Sequence, residues 1–160
     1  MRLMRHHAAA IGIAVVVALD LTTKRVIEGV LSSAPHSIPV TPFFNLTLRY
    51  NRGISFSLFA SDNPYMPFIL ASVSLLVATA FTIWLLRTDN GYAKLGLSLI
   101  VGGAVGNALD RLDDGAVTDF LYFYAGAYRW PAFNLADIAI ACGLVFLLAE
   151  PGRRPREKRS

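Results

Sequence analysis

The sequence predicts a mainly α-helical membrane protein, with four transmembrane helices and a small β-sheet on the outer side of the bilayer. Three observations predict it. Of 160 residues, 54% are hydrophobic and 16% charged, a balance that suits a bilayer better than water. Four apolar segments approach the roughly 20 residues that a helix needs to cross the hydrocarbon core. The long stretches between them contain short alternating or β-branched and aromatic runs that read as strands. The length suits a single integral membrane domain, residues 1–160.

The first span is placed at about 8–30. Its clean apolar part, 8–19, is too short alone, so the helix must continue past Asp20 and Lys24 and hold them near the outer interface. A basic start followed by a short apolar run also resembles a signal peptide. However, Asp20, Lys24 and Arg25 do not make a small-residue cleavage site, and three further spans follow. The outer loop 31–64 holds two proline-containing connectors, 32–42 and 61–67. Between them Leu46, Leu48 and Tyr50 alternate with Thr47 and Arg49 as in a half-buried strand, and Asn51-Arg52-Gly53 supplies a turn. The second span, about 65–86, ends at Arg87. The third, about 93–110, contains Gly102 and Gly106 as a G-x-x-x-G pair that lets another helix approach closely. In the outer loop 111–133, residues 116–124 read as a strand. Pro131 stops the preceding chain, and Asn134 is a good N-cap for the fourth span, about 134–149. A basic tail, 151–160, follows Pro151.

Four spans put both termini on one side. Nine of the fifteen basic residues fall there: Arg2, Arg5, Arg87, Lys94, Arg153, Arg154, Arg156, Lys158 and Arg159. Lys24, Arg25, Arg49, Arg52, Arg111 and Arg129 lie opposite. By the positive-inside rule the termini are cytoplasmic and the long loops face outward. The net charge of +4 therefore reports membrane orientation rather than nucleic acid as a partner. The single cysteine, Cys142, excludes an internal disulfide framework and, in an apolar run, reads as a small buried side chain.

The costliest residues to keep are Asp119, in VTDF, and Asp137, in FNLAD. Carboxylates beside a membrane core are rare and by default mark function. Asp137 stands at i+3 from Asn134, where the helix start favours an acid, so a first-turn structural acid and a catalytic one are both open. Asn107, Asp110 and Arg111 stand at i, i+3 and i+4, on one helical face of the third span. They read either as an interfacial Asp-Arg pair capping it or as functional residues, with Arg111 holding a carboxylate or a substrate carbonyl. Asp20 and Lys24 are an i, i+4 pair, an interfacial salt bridge or a brace beside the site. Asn51 serves the turn or positions substrate.

Competing chemistries lack their parts. His6, His7 and His36 lie away from the apolar segments and the aspartates, so a serine or cysteine triad has no base. No cysteine/histidine cluster has metal-ligand spacing, so no metal or other cofactor is expected. There is no phosphate-binding glycine loop. What remains is a carboxylate pair sharing one proton, one member activating a water while the other donates to the carbonyl under attack. The helix start favours charge on Asp137, which leaves the proton on Asp119. A small transporter or channel using Asp119 and Asp137 as ion or proton ligands is the alternative, although transport sites tend to lie at the bilayer midplane. An intramembrane peptidase of the presenilin type would need a Gly-x-Gly-Asp motif that is absent.

The motifs DLTTK, NRGISF, GGAVGNALDRL, GAVTDF and FNLADIAI, in this order over nearly the whole chain, resemble those of the lipoprotein signal peptidases (signal peptidase II) of bacteria. The resemblance implies four transmembrane helices, an extracytoplasmic β-cradle and a mobile flap. It also implies a catalytic dyad of Asp119 and Asp137. Asn107, Arg111 and Asn134 would support the dyad, with Asp20, Lys24 and Asn51 further out. Implied too are a monomer in the cytoplasmic (inner) membrane, a prolipoprotein substrate cut before its diacylglyceryl-modified cysteine, contact with membrane lipids, and inhibition by globomycin-type cyclic peptides. Leu21 stands where the family usually has Gln, and Ile54 where a small residue is usual, which bears on the substrate groove and inhibitor fit.

Overall fold

A computed structural model describes residues 2–33, 35–53 and 63–149; Ile54, part of the second connector and the basic tail lie outside them. The order is α1 (Arg2–Leu31), β1 (Ser37–Thr41), β2 (Phe44–Asn51), α2 (Met66–Arg87), α3 (Gly91–Asp114), β3 (Val117–Ala125), β4 (Tyr128–Arg129) and α4 (Leu135–Leu148). All four expected helices and both expected strands form. Among the described residues two helices, α2 and α3, are long and apolar enough to cross a membrane, while α4 is apolar but has 14 residues.

Helix α3 is the hub, packed by each of the other helices. In their most apolar windows 72% of α3 is buried inside the protein but only 17% of α2. Helix α2 therefore turns Phe68, Ile69, Leu76 and Leu86 outward, a surface suited to an apolar medium. Helix α3 also runs past its expected end at 110, to Asp114. There Gly115 takes the left-handed conformation (φ 71°) and returns its N–H to the carbonyl of Arg111.

Small residues set how near α3 lies to its neighbours. A Cβ on Gly102 would lie 2.7 Å from Val16 Cβ, and one on Gly106 would lie 2.6 Å from Asp20 Oδ2, so the G-x-x-x-G pair receives α1. Gly96, Gly103 and Gly143 do the same for α4: a Cβ on Gly143 would meet the Gly96 carbonyl oxygen at 2.5 Å. A Cβ on Gly103 would overlap the carbonyl oxygen of Ala136, one residue before Asp137. Gly103→Ala should therefore lower stability by about 1–3 kcal/mol and displace the start of α4. Gly29→Ala, with open space around it, should be neutral or raise stability by up to about 1 kcal/mol. Thermal melting in detergent distinguishes the two.

The sheet has the order β1-β2-β3-β4, with each neighbouring pair antiparallel. Strand β1 lies inside the segment expected to be a connector. Its Pro39 argued against a strand, but β1 is an edge strand, where a residue without an N–H is tolerated. Cys142, expected to be buried, is exposed on the surface of α4 because its helix face turns away from α3.

Candidate active site

Backbone pairing brings the two aspartates together. Asp119 sits on β3, opposite Arg49 of β2. Two residues on, Leu121 pairs with Phe133, whose carbonyl accepts from the N–H groups of Phe120 (3.0 Å) and Leu121 (2.8 Å). That pairing delivers the chain directly into α4. Asn134 caps α4 as expected: its Oδ1 accepts from the Asp137 N–H at 3.0 Å, and Asp137 Oδ2 accepts from the Asn134 N–H at 3.2 Å. The structural reading of Asp137 as a first-turn acid is thus correct. The same residue also lines, with Asp119, a cavity of about 880 Å³.

Three asparagines hold the carboxylates. Asn134, fully buried, donates from Nδ2 to Asp119 Oδ1 (2.7 Å) and to Asn107 Oδ1 (3.2 Å). Asn107 donates from Nδ2 to Asp137 Oδ1 at 3.0 Å. Asn51 serves the turn, its Oδ1 accepting from the Gly53 N–H (3.0 Å), and its Nδ2 also donates to Asp119 Oδ2 (3.1 Å). Burial first, and the neighbouring Asp137 carboxylate second, push Asp119 up to about 7, against the lowering effect of the Asn51 and Asn134 donors and of Lys24. Asp119 therefore holds its proton much closer to neutrality than an ordinary aspartate does.

Behind the asparagines lies a buried charged cluster. Lys24 Nζ meets Asp20 Oδ2 at 2.8 Å, Asp110 Oδ2 at 3.1 Å and Asn107 Oδ1 at 2.9 Å. Asp20 Oδ1 accepts from the Ala136 N–H of α4 at 2.9 Å. Asp20 and Lys24 thus form the i, i+4 salt bridge, buried rather than exposed, and Asp20 ties it to the start of α4. Asp110 does not pair with Arg111, because adjacent helical residues point to different faces. Asp110 turns to Lys24 and to the Thr118 N–H (2.7 Å). Arg111 donates to the carbonyls of Asn107 (3.1 Å) and Gly53 (2.8 Å) and among the described residues forms no ion pair, so it anchors the end of β2 at the cavity wall.

Two contributors escaped the sequence reading. Thr118, next to Asp119, donates from Oγ1 to Glu28 Oε1 at 2.6 Å. Glu28 is in turn bridged to Asp113 and Asp114 through Arg25. Glu28 stands four residues after Lys24 and eight after Asp20, and that single helical stripe was the available signal. Leu21 does not line the dyad cavity. It faces a separate groove of about 380 Å³ with Arg25, Leu109 and Leu112.

The model of the family described as Signal peptidase (SPase) II matches residues 12–151. A lipoprotein signal peptidase of Francisella tularensis subsp. novicida (strain U112) is 44% identical over 137 residues, 84% of either chain. One from Cupriavidus taiwanensis is 46% identical over 123 residues, 76% of this chain and 69% of that one. A solved bacterial membrane enzyme, 24% identical, has the same fold, with a TM-score of 0.76 over 94% of each chain. With a match across most of its length and relatives this similar, the chain belongs to the signal peptidase II family.

Proposed function

We propose that this protein is an aspartic endopeptidase of the bacterial inner membrane. It removes the signal peptide from prolipoproteins by cutting before a diacylglyceryl-modified cysteine. The observation that carries the reading is the placement of Asp119 and Asp137 on one cavity, each carboxylate held by asparagine donors. The four helices span the bilayer, with the termini cytoplasmic and the sheet on the outer side.

Asp137 accepts a proton from a water lodged between the carboxylates while Asp119 donates its proton to the oxygen of the scissile carbonyl. The two then exchange roles as the tetrahedral intermediate collapses and the leaving amine takes a proton. The apolar cavity wall of Val73, Val77, Phe81, Ile100 and Ile140 suits acyl chains arriving from the membrane. A transporter reading has less support, because Asp119 lies on a strand of the sheet rather than on a helix.

The test is cleavage by the purified protein of a precursor with and without the diacylglyceryl group. The modified precursor should be cut, a globomycin-type cyclic peptide should block the reaction, and the rate should fall as pH rises through about 7, where Asp119 gives up its proton. Equal cleavage of the unmodified precursor would remove the substrate assignment.

A further inference from the structure

Beneath the dyad, Lys24 reaches no solvent: it is 1% exposed. An ammonium has three hydrogens and no acceptor, and Nζ has three oxygen partners, namely Asp20 Oδ2, Asp110 Oδ2 and Asn107 Oδ1. The two aspartates take two of those hydrogens, and the third must also find an acceptor. That this acceptor is a neutral amide 83 residues away, at 2.9 Å, matters to the amide as well as to the lysine.

The reason lies in the two-sidedness of an asparagine amide. Either its oxygen or its nitrogen can face a given neighbour, and only a partner of fixed polarity decides between them. Lys24 can only donate, so Asn107 must turn its oxygen to Lys24 and its nitrogen to Asp137. Asn134 agrees, because its own oxygen is occupied by the Asp137 N–H and its nitrogen therefore also points at Asn107 Oδ1. Asn107 Oδ1 thus receives two donors, one of them charged, and Asn107 Nδ2 is fixed 3.0 Å from Asp137 Oδ1. A reversed amide would set nitrogen against ammonium and oxygen against carboxylate, so both contacts would become repulsive.

Resting on the peptidase reading, we propose that Lys24 is a positioning residue for the reaction. By binding Asn107 Oδ1 it locks that amide with its N–H on Asp137 Oδ1, which holds that carboxylate in position for the reaction. Lys24 hydrogen-bonds neither carboxylate of the dyad; beyond the weak through-space lowering of Asp119 by its charge, it acts through Asn107. The role differs from the bracing of α1, which Asp20 performs through the Ala136 N–H.

A double-mutant cycle on cleavage of the diacylglyceryl-modified precursor tests this. Lys24→Met should lower kcat by about 10- to 100-fold with KM within about threefold, the scale of one charge-assisted hydrogen bond. In an Asn107→Ala background Lys24→Met should cost little more, because the residue through which it acts is already gone. Should Lys24→Met fail to fold, Lys24→Met with Asp20→Asn leaves the net charge of the buried cluster unchanged and should show the same kcat loss. Effects that multiply in the Asn107→Ala background, or an unchanged kcat, would overturn the proposal. If wild type cuts and Asp137→Asn does not, that failure belongs to the Lys24 inference alone. A wild-type protein that leaves the precursor intact would overturn the peptidase reading as well.

Discussion

Asp119→Asn and Asp137→Asn should each reduce cleavage of the lipidated precursor by about 10⁴-fold or more while the protein stays folded. An amide at 137 cannot take a proton from water, and an amide at 119 cannot exchange one with the substrate. Both replacements keep the shape of the side chain. Asp119→Asn should also change stability in a defined direction. The folded protein holds the Asp119 proton up to about 7, well above the ordinary aspartate value of 3.8, because burial penalises the charge. Stability from this group is complete below about pH 4 and is lost as pH rises to about 7. The loss is about 2–3 kcal/mol between pH 5 and pH 8 at about 1.4 kcal/mol per unit. The wild type should therefore melt lower at pH 8 than at pH 5, and Asp119→Asn should lose much of that difference. One donor-donor contact, with Asn51 or Asn134, will offset part of the gain at pH 8. Melting curves in detergent at the two pH values, beside a cleavage assay, separate lost chemistry from lost fold.

Asn134→Ala should have the second-largest effect and strike both stability and activity. Asn134 is fully buried, caps α4, and donates to Asp119 and Asn107. Loss of the cap costs about 1 kcal/mol, and each buried partner left unpaired about 1–3 kcal/mol more. Activity should fall by roughly 10²–10³, since neither carboxylate keeps its position. Asn134→Ser separates the two effects. A serine hydroxyl can cap the helix but is too short to bridge Asp119 and Asn107, so the melting temperature should recover in part and the activity should not.

Much of this site was legible in the sequence because it is expensive. Asp119 and Asp137 stand out as carboxylates beside apolar runs, and Asn134 as an N-cap three residues before an acid. Strands β2 and β3 announce themselves by alternation and by aromatic and β-branched content. Strand β1 did not, because Pro39 is a strand breaker everywhere but at an edge, and edge position is set by the assembled sheet. The partner of Asp110 was also hidden. Proximity in sequence offered Arg111, while helix geometry sends the two side chains apart and leaves Asp110 to Lys24, on another helix. Glu28 and Thr118 were missed for the same reason, since their contact joins α1 to β3 across 90 residues. Cys142 shows the converse limit: an apolar run says that a helix is surrounded by apolar material, but not whether that material is protein.

The central claim is that the two carboxylates share one proton and that it rests on Asp119. An infrared titration of the protonated-carboxyl band in the resting protein tests this most directly. The account predicts a band present at pH 6, lost as pH rises through about 7, absent in Asp119→Asn, and in Asp137→Asn still present but lost at a lower pH, because the neighbouring charge no longer raises it. A band that survives Asp119→Asn and disappears in Asp137→Asn would contradict it.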